Sequence, residues 1–454
     1  MPADSLTDCV PVRNFVSWLL AHNDSEDLDE FEIAVMACLM AVGAVVMARR
    51  LGTLNAEDAF DEDGSRWSVS KASKLVVHTL FGTIRVVRHL FRDRRNGPTR
   101  CLVSERAGLL DGWTPRAAKI AMLGISEMPF ARAEFFFAET GVLGVSRSSL
   151  LRFAKACSGC WEDHREDLEE RVSESTEIPD EVASVVVSLD GVLVNLLDED
   201  AQRRRREARS ANEKGPAGWK EASIGVLAFF DANGKRLQTR RYGRMPETSK
   251  ATTKGWVSAE LARVLARRPD LKVMALADGA ANIWNFLETL NADVELVDYY
   301  HTVEQVQKHA RKALEPGQET DKKLAEYRRL MRDKPGGSTE VFAEVRALRL
   351  AAGNAPLSWL KKTGKRQPSF DERHRTRMDF PGVREAKLPI GSGFTESTCK
   401  LLVCDRLRRT GMRWSRRGGQ AVLTFRALAA DGRFDLCGFR KLCPVGFRKF
   451  CPGR

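Results

Sequence analysis

Three carboxylates occupy positions in which a protein can hold a divalent cation. Asp190 and Asp278 each follow directly on an apolar, strand-like run, and Glu396 follows a glycine-rich turn that opens a helix. Glycine comes after both aspartates, which lets a backbone or a phosphate approach closely. Carboxylate oxygens suit Mg²⁺, and two such ions about 4 Å apart activate a nucleophile and stabilise a leaving oxygen in phosphodiester chemistry. Taken singly, each residue also fits a turn cap or a helix start.

The elements that must position these carboxylates follow an α/β pattern. Apolar and β-branched runs separated by turns predict a meander of antiparallel strands from residue 182, followed by alternating helices and strands. This order predicts a mixed sheet with helical crossovers. The predicted strands are residues 182–189, 191–196, 222–230, 235–242, 272–277 and 294–297, and the predicted helices are residues 252–267, 280–291, most of 301–377, and 394–430 with an interruption at Gly411.

The amino-terminal part is predicted to be mainly helical, with one hairpin formed by residues 74–80 and 83–90. Its longest apolar run, residues 33–48, is shorter than the roughly 18 residues of a bilayer span. We therefore expect a buried helix in a soluble protein that does not contact a membrane. Ten dispersed cysteines without a preceding signal peptide indicate a reducing cytoplasm.

A helix-turn-helix is predicted next. A helix that begins near Pro129, a glycine turn at residues 140–144 and a second helix capped by Ser146 match the motif, whose second helix enters the major groove of DNA. Arg147 and Arg152 are then the candidate DNA-binding residues. Plain packing of a helical hairpin explains the same pattern. The acidic residues that follow, up to residue 181, are predicted to form a linker.

The basic charge is concentrated at the carboxyl terminus. Residues 400–454 contain 14 basic and 3 acidic residues, which is a net charge of +11 out of +12 for the whole chain. Such a local excess favours a polyanionic partner, most often nucleic acid, although a solvated basic tail is the alternative. Residues 438–445 and 446–453 are near-identical repeats containing proline, and we expect residues 437–454 to form a disordered basic tail.

Five motifs carry a family resemblance. The chain resembles bacterial insertion-sequence transposases of the ISKra type, which are similar in turn to the wider Mutator-like DDE group. The resemblance covers residues 75 to 436 and is most specific over residues 388–415. The motifs are SLDGV at 188–192, ADGAANIW at 277–284, VDYYH at 297–301, LPIGSGFTES at 388–397 and RRTGMRWS at 408–415.

The resemblance implies an RNase H-like catalytic core with an all-helical insertion between the second aspartate and the glutamate. It maps the catalytic triad onto Asp190, Asp278 and Glu396, which would hold two Mg²⁺ ions, for which Mn²⁺ can substitute. It also places an Asp-x-x-His element on Asp298 and His301. Such enzymes bind the ends of their element, cleave DNA by hydrolysis and join the freed 3′-hydroxyl to target DNA.

Three further residues have two interpretations each. His301 either orients the scissile phosphate or the attacking water, or packs a helix start. Lys400 lies one helical turn beyond Glu396 and either contacts a phosphate or is solvated. Trp414 either stacks on a splayed base or belongs to the core. The remaining candidate DNA-binding residues of this segment are Arg408, Arg409, Arg413, Arg416 and Arg417.

These observations predict a DDE transposase that acts on double-stranded DNA as a homodimer or larger assembly, in the cytoplasm at the nucleoid. An RNase H-like nuclease or resolvase, which cuts without joining, and a catalytically inactive DNA-binding regulator are the alternatives. The predicted regions are residues 1–100 (helices and hairpin), 101–180 (helix-turn-helix and linker), 181–300 (first part of the core), 301–385 (helical insertion), 386–436 (last part of the core) and 437–454 (tail).

Overall fold

The computed structural model describes residues 10–22, 27–55, 59–62, 64–93, 97–197, 207, 218–353, 359–360, 366–367 and 369–435. The chain divides into two units, the first made of Met1–Glu169 with Asp435–Arg454 and the second of Glu170–Phe434. The predicted tail, residues 437–454, lies outside the described residues.

The first unit combines helices with a small sheet. Its elements are α1 (Val10–Ala21), α2 (Leu28–Gly52), β1 (Ala59–Glu62), β2 (Ser65–Thr79), β3 (Gly82–Arg92), α3 (Leu102–Ala107), α4 (Pro115–Glu127), α5 (Phe130–Glu139), α6 (Arg147–Asp163) and α7 (Arg165–Ser175), of which α7 continues into the second unit. The predicted hairpin is confirmed, because β2 pairs with β3 in antiparallel register from Thr79 opposite Gly82. Gly82 has a φ of +94°, a conformation that favours glycine at the turn.

The predicted buried helix forms, but it is not buried. α2 begins after Asp27, whose side chain caps it, and of its described residues only Leu51 is buried. Its carboxyl-terminal part packs through Ala44, Met47 and Ala48 against the core beneath the hairpin. The prediction was wrong because the apolar residues of α2 lie on all sides of the helix, while the hairpin covers only one. By length and composition α2 is the one helix of the described residues that could cross a membrane.

The helix–turn–helix segment has the predicted secondary structure. α5 ends at Glu139, and α6 begins after Ser146, whose hydroxyl accepts a hydrogen bond from the backbone N–H of Ser149. The predicted linker is wrong in part, because α7 lies within it. Arg165 forms ion pairs with Glu162 and Glu169. Opposite charges at this spacing stabilise a helix, which the acidic composition of the segment did not indicate.

The second unit contains the larger sheet and most of the remaining helices. Its strands are β4 (Val182–Asn195), β5 (Trp219–Asp231), β6 (Arg236–Arg244), β7 (Lys272–Ala277), β8 (Val294–Val297) and the short pair β9 (Trp359–Leu360) and β10 (Arg366–Gln367). Its helices are α8 (Ala251–Arg267), α9 (Ala281–Leu287), α10 (Tyr299–Ala310), α11 (Gln318–Asp333), α12 (Gly337–Ala351), α13 (Phe370–Arg373), α14 (Phe380–Glu385), α15 (Gly393–Cys399), α16 (Asp405–Leu407) and α17 (Arg416–Ala430), with 3₁₀ turns at Glu288–Leu290 and Arg375–Arg377 and a π-helical turn at Lys400–Cys404.

The five-stranded sheet has the order β6-β5-β4-β7-β8. β4, β5 and β6 form the predicted antiparallel meander, whereas β7 pairs parallel to β4 and β8 parallel to β7. The protein is thus a mixed α/β protein, as predicted. Two of the predicted strands are one, because β4 continues through Asp190 and Gly191 in unbroken register with β5.

A buried ion network joins this sheet to the end of the described chain. Arg240 on β6 and Glu260 on α8 are both fully buried and lie 2.5 Å apart, and Arg433 lies 3.7 Å from the same carboxylate. Asp431 in turn pairs with Arg241 and Arg433, at 2.7 Å each. Burial opposes ionisation of Glu260, yet the neighbouring guanidinium groups of Arg240 and Arg433 lower its pKa.

Candidate active site

The two predicted catalytic aspartates stand level with each other on neighbouring strands. In the parallel pair formed by β4 and β7, Val187 lies opposite Ala275. Asp190 and Asp278 are each three residues further along, at the carboxyl-terminal side of the parallel pairing. Neighbouring strands are about 4.8 Å apart, and residues at matching positions share a face of the sheet. Both side chains are half-buried, so the strands bring the two carboxylates to one sheet edge.

Hydrogen bonds fix the turn that contains Asp278. Its Oδ1 accepts from the backbone N–H of Ala280 at 3.0 Å, and its carbonyl oxygen accepts from the indole N–H of Trp284 at 2.5 Å. Trp284 is 1% exposed and belongs to α9. The conformation after β7 is therefore set by a buried ring from the following helix.

The segment that contains Phe370 and His374 packs on the turn that follows Asp278. The ring of Phe370 lies so close to Gly279 that no Cβ fits there. His374 is fully buried, and its Nε2 donates to the carbonyl oxygen of Gly279 at 3.2 Å. Among the described residues its Nδ1 has no hydrogen-bond partner. Burial lowers the pKa of His374 to about 4, so the ring is neutral at physiological pH.

Asp190 is held from two sides. Its Oδ1 accepts from the backbone N–H of Gly191 at 2.6 Å, and its Oδ2 accepts from the thiol of Cys399 at 3.3 Å. Burial raises the pKa of Cys399, and the nearby carboxylates of Asp190 and Glu396 raise it further, so the thiol stays protonated and donates. Cys399 thus connects α15 to Asp190 within β4.

Glu396 lies in the first turn of α15, as predicted, and it is exposed. It precedes Cys399 by three residues, which is close to one helical turn. Phe394 of the same helix contacts Phe230 of β5, with ring centroids 6.1 Å apart. This ring contact and the hydrogen bond from Cys399 to Asp190 hold the helix that carries Glu396 against the sheet.

A third aspartate organises the turn before Glu396. Asp298 follows β8, and the pairing of Ala277 with Val297 places it level with Asp278. It is fully buried, and its carboxylate accepts from the backbone N–H groups of His301 and Ser392. Because both oxygens have backbone donors, Asp298 positions the glycine-rich turn. Its place directly after a strand, like that of Asp278, was the signal for such a role.

The described part of the chain contains no group of three or more His, Cys, Asp or Glu side chains that could hold a metal ion. The structure therefore brings Asp190 and Asp278 to one sheet edge but does not close a group of three with Glu396. As donors the three residues suit a hard divalent cation, because all of their side-chain ligands are carboxylate oxygens.

His301 and Lys400 both lie near helix starts or breaks. His301 is half-buried in the first turn of α10, and its backbone N–H is capped by Asp298. Lys400 is exposed, and its backbone N–H donates to the carbonyl oxygen of Glu396, so it lies one turn further along. The π-helical turn begins at Lys400; such turns occur often at functional sites.

The arginines predicted to bind DNA near the carboxyl terminus are all exposed. Arg408 lies over the ring of Trp219, with its guanidinium 5.7 Å from the ring centroid, and Arg409 donates to the carbonyl oxygen of Asp405. The second unit thus has five exposed arginines within ten consecutive residues: Arg408, Arg409, Arg413, Arg416 and Arg417.

The base-stacking interpretation of Trp414 needs correction. The side chain is 8% exposed, its indole N–H donates to the carbonyl oxygen of Leu407, and the guanidinium of Arg406 lies over its ring at 5.1 Å. Its backbone also pairs with Asn195, the last residue of β4, and with Leu197 just beyond it. Trp414 is a core residue that anchors the segment between α16 and α17, and it presents no open ring face to a base.

In the first unit, Arg147 and Arg152 are exposed on the first two turns of α6. The backbone N–H of Arg147 donates to the carboxylate of Glu134 on α5, at 2.9 Å. The side chain of Arg152 donates to the hydroxyl of Ser149. Both guanidinium groups are therefore on the surface of the second helix of the helix-turn-helix segment.

A scan against models of known protein families found no match, and a search among curated proteins found no relative.

Proposed function

We propose that this protein is a DNA transposase with an RNase H-like catalytic core. It would bind the ends of an insertion sequence, cleave DNA by metal-dependent hydrolysis and join the 3′-hydroxyl to target DNA. The observation that carries the proposal is the level placement of Asp190 and Asp278 on adjacent parallel strands. Two carboxylates at one sheet edge, each followed by glycine, suit a cation that must also accept a phosphate.

The order of elements supports the proposed core. Three antiparallel strands are followed by two strands parallel to the first, and β4 is the central strand of the sheet. Helices α10, α11 and α12 separate Asp278 from Glu396, in the place that the resemblance to DDE transposases assigns to a helical insertion. The helix that bears Glu396 then returns to β4 through the hydrogen bond from Cys399 to Asp190.

Asp190, Asp278 and Glu396 would hold Mg²⁺, which when bound supplies a Lewis acid for phosphodiester cleavage. Glu396 is the exposed member, and it must move toward the two aspartates for all three to bind one cluster of ions. Asp298 and Cys399 act as positioning residues for the glycine-rich turn and for Asp190. His301 follows Asp298 at the start of α10, and Lys400 follows Cys399 at the end of α15. Both are assigned to contacts with the phosphate.

The exposed arginines support a DNA partner. Five exposed arginines follow the helix of Glu396, and Arg147 and Arg152 are exposed on α6 in the first unit. Because each phosphate contact releases counterions, the affinity for DNA should fall steeply as salt rises. Replacement of Arg413 and Arg417 by Gln should lower the slope of log affinity against log salt concentration by about one for each arginine removed.

The test is strand cleavage and joining on a plasmid that carries the DNA flanking both ends of the gene. Asp278→Ala and Glu396→Gln should abolish both reactions in Mg²⁺ while leaving DNA binding unchanged. Glu304→Gln, which removes an exposed carboxylate from α10, is the matched control and should retain both. Full activity of either active-site variant would refute the assignment, and cleavage without joining would favour a nuclease or resolvase.

One observation favours a second candidate, a DNA-binding regulator without catalysis. In the residues that the structure describes, the three carboxylates do not form a metal-binding group. A regulator would bind the DNA at the ends of the gene but leave it intact in Mg²⁺ and in Mn²⁺. The wild-type protein in the same plasmid assay distinguishes the two functions.

A further inference from the structure

One aromatic side chain beside the candidate active site is largely exposed. Tyr300 is 63% exposed, more than any other Phe, Tyr or Trp residue that the structure describes. It lies in the first turn of α10, between Asp298 and His301. The pairing of β7 with β8 places Asp298 level with Asp278. Tyr300 therefore lies near the sheet edge that carries the candidate metal ligands.

The ring of Tyr300 is held against the glycine-rich turn that leads to Glu396. A Cβ placed on Gly391 would lie 2.7 Å from this ring and 3.7 Å from the carboxylate of Asp298. The first distance is too short for a real Cβ, so only glycine leaves room for the ring at this position. The ring of Tyr299 meets that of Tyr300 edge to face, with centroids 5.2 Å apart. The ring thus has a fixed place, although most of the residue is open to solvent.

The backbone on either side of Tyr300 is anchored as well. Tyr299 is buried, its backbone N–H donates to the carbonyl oxygen of Ile390 at 2.9 Å, and its hydroxyl donates to the carbonyl oxygen of Arg328 at 2.9 Å. The backbone N–H of His301 donates to the carboxylate of Asp298 at 2.8 Å. Because these contacts order the segment in advance, a molecule that binds the ring loses little affinity to the ordering of the protein.

Positive charge lies close to the exposed ring. Arg332 on α11 and Arg384 on α14 each have a side chain that is 47% exposed, and both pair with the carboxylate of Asp333. One carboxylate balances only one of the two guanidinium groups. The hydrogen bond to Asp333 raises the pKa of Arg332 most, and the nearby hydroxyl groups of Tyr299 and Tyr300 raise it further. An unbalanced positive charge is therefore within electrostatic reach of the ring.

An exposed aromatic ring beside a guanidinium group suits an unpaired nucleotide, because the ring stacks on the base while the cation neutralises the phosphate. We propose that Tyr300 is a stacking platform for an unpaired base of single-stranded DNA at the cleavage site, with the adjoining phosphate at Arg332 and Arg384. The inference rests on the proposed function and deepens it, since it names the part of the DNA that this site takes. It also assigns base stacking to an exposed ring, in place of the buried Trp414.

The surroundings of Tyr300 favour a nucleotide over an apolar protein surface. Of the large apolar side chains on α10, α11 and α14, all of which the structure describes, Tyr300 alone is exposed. Protein interfaces are built around clusters of apolar and aromatic anchors that are buried together. A single ring among charged side chains matches instead the alternation of base and phosphate along a strand.

The fluorescence of 2-aminopurine tests the proposal, because this base loses its fluorescence when it stacks. The probe is a short thymidine strand with 2-aminopurine at alternate positions, mixed with the full-length protein without divalent cations, so that no cleavage occurs. The wild-type protein should quench the probe. Tyr300→Ala should remove most of the quenching and weaken binding of the strand about tenfold, whereas Tyr300→Trp should retain both. Leu350→Ala, at a 57% exposed position of α12, is the matched control and should behave as the wild-type protein does.

A fully paired duplex of the same length separates stacking from general affinity for DNA. Tyr300→Ala should leave the affinity for the duplex unchanged, because paired bases are already stacked on each other. No quenching by the wild-type protein, full quenching by Tyr300→Ala, or an equal loss of duplex affinity would overturn the proposal. The outcome is distinguishable from that of the proposed function. A wild-type protein that cleaves and joins plasmid DNA without quenching the probe refutes the stacking platform alone, and one that quenches the probe through Tyr300 without cleaving DNA refutes the transposase alone.

Discussion

The buried histidine behind Asp278 makes the stability of the second unit depend on pH in a specific range. His374 is neutral in the folded protein, where burial lowers its pKa from 6.5 to about 4. In the unfolded chain the ring regains its ordinary pKa. Between pH 6.5 and 4 the unfolded state therefore binds more protons than the folded state. The free energy of unfolding must fall as the pH falls through this range, and the contribution of His374 is complete above it.

The size of the effect follows from the difference between the two pKa values. One pKa unit corresponds to about 1.36 kcal/mol. A pKa lowered from 6.5 to about 4 thus corresponds to a loss of about 3 kcal/mol of stability between neutral pH and pH 4. No solvent screening reduces this value, because the side chain is fully buried.

The assay is urea unfolding of the full chain at several pH values between 7 and 4, compared with His374→Gln. Glutamine retains an N–H donor for the carbonyl oxygen of Gly279 but cannot be protonated. All other titrating groups are common to both proteins, so their contributions cancel. The wild-type protein should lose about 3 kcal/mol more stability than His374→Gln between pH 7 and pH 4.

Parallel stability curves for the two proteins would refute this reasoning. They would mean that the imidazole is protonated in the folded state or has solvent access at the turn. A steeper loss in His374→Gln than in the wild-type protein would contradict the sign as well as the magnitude.

Three more substitutions test the packing around the site. Glu260→Ala leaves Arg240 buried without its partner and should lower the free energy of unfolding by about 3–5 kcal/mol in urea; a loss below about 1 kcal/mol would contradict the buried pair. Trp414→Ala should cost about 3–5 kcal/mol by the same measurement, as for a core aromatic residue; lost DNA affinity at unchanged stability would instead favour the stacking interpretation. Gly279→Ala forces a methyl group against Phe370 and should cost about 1–3 kcal/mol, and an unchanged urea midpoint would show that the ring can yield.

The order of elements around the site was largely predictable from sequence. The runs before Asp190 and Asp278 are β-branched or apolar, which is a local signal for a buried strand. The polar residue marks the end of the strand at Asp278 but not at Asp190, because β4 continues to Asn195. The predicted strands at residues 272–277 and 294–297 have those bounds in the structure. The hairpin was predictable for the same reason, since its turn residue and its alternating pattern are both local.

Contacts between distant residues were not predictable. Nothing near Cys399 in sequence indicates that its thiol donates to Asp190, and nothing near His374 indicates that it donates to the backbone after Asp278. The exposure of α2 was also missed, because an apolar run fits a core helix and an interaction surface equally. For Trp414 the sequence left base stacking and core packing open, and its burial at the end of β4 decides for the core.

The most direct test of the proposed active site is Mn²⁺ binding to the full-length protein, followed by electron paramagnetic resonance. We expect saturable binding of two ions, which draws Glu396 toward Asp190 and Asp278, and loss of that binding in Asp278→Ala but not in Glu304→Gln. No saturable binding in the wild-type protein, or equal binding in Asp278→Ala, would contradict the assignment of these carboxylates to a metal-dependent active site.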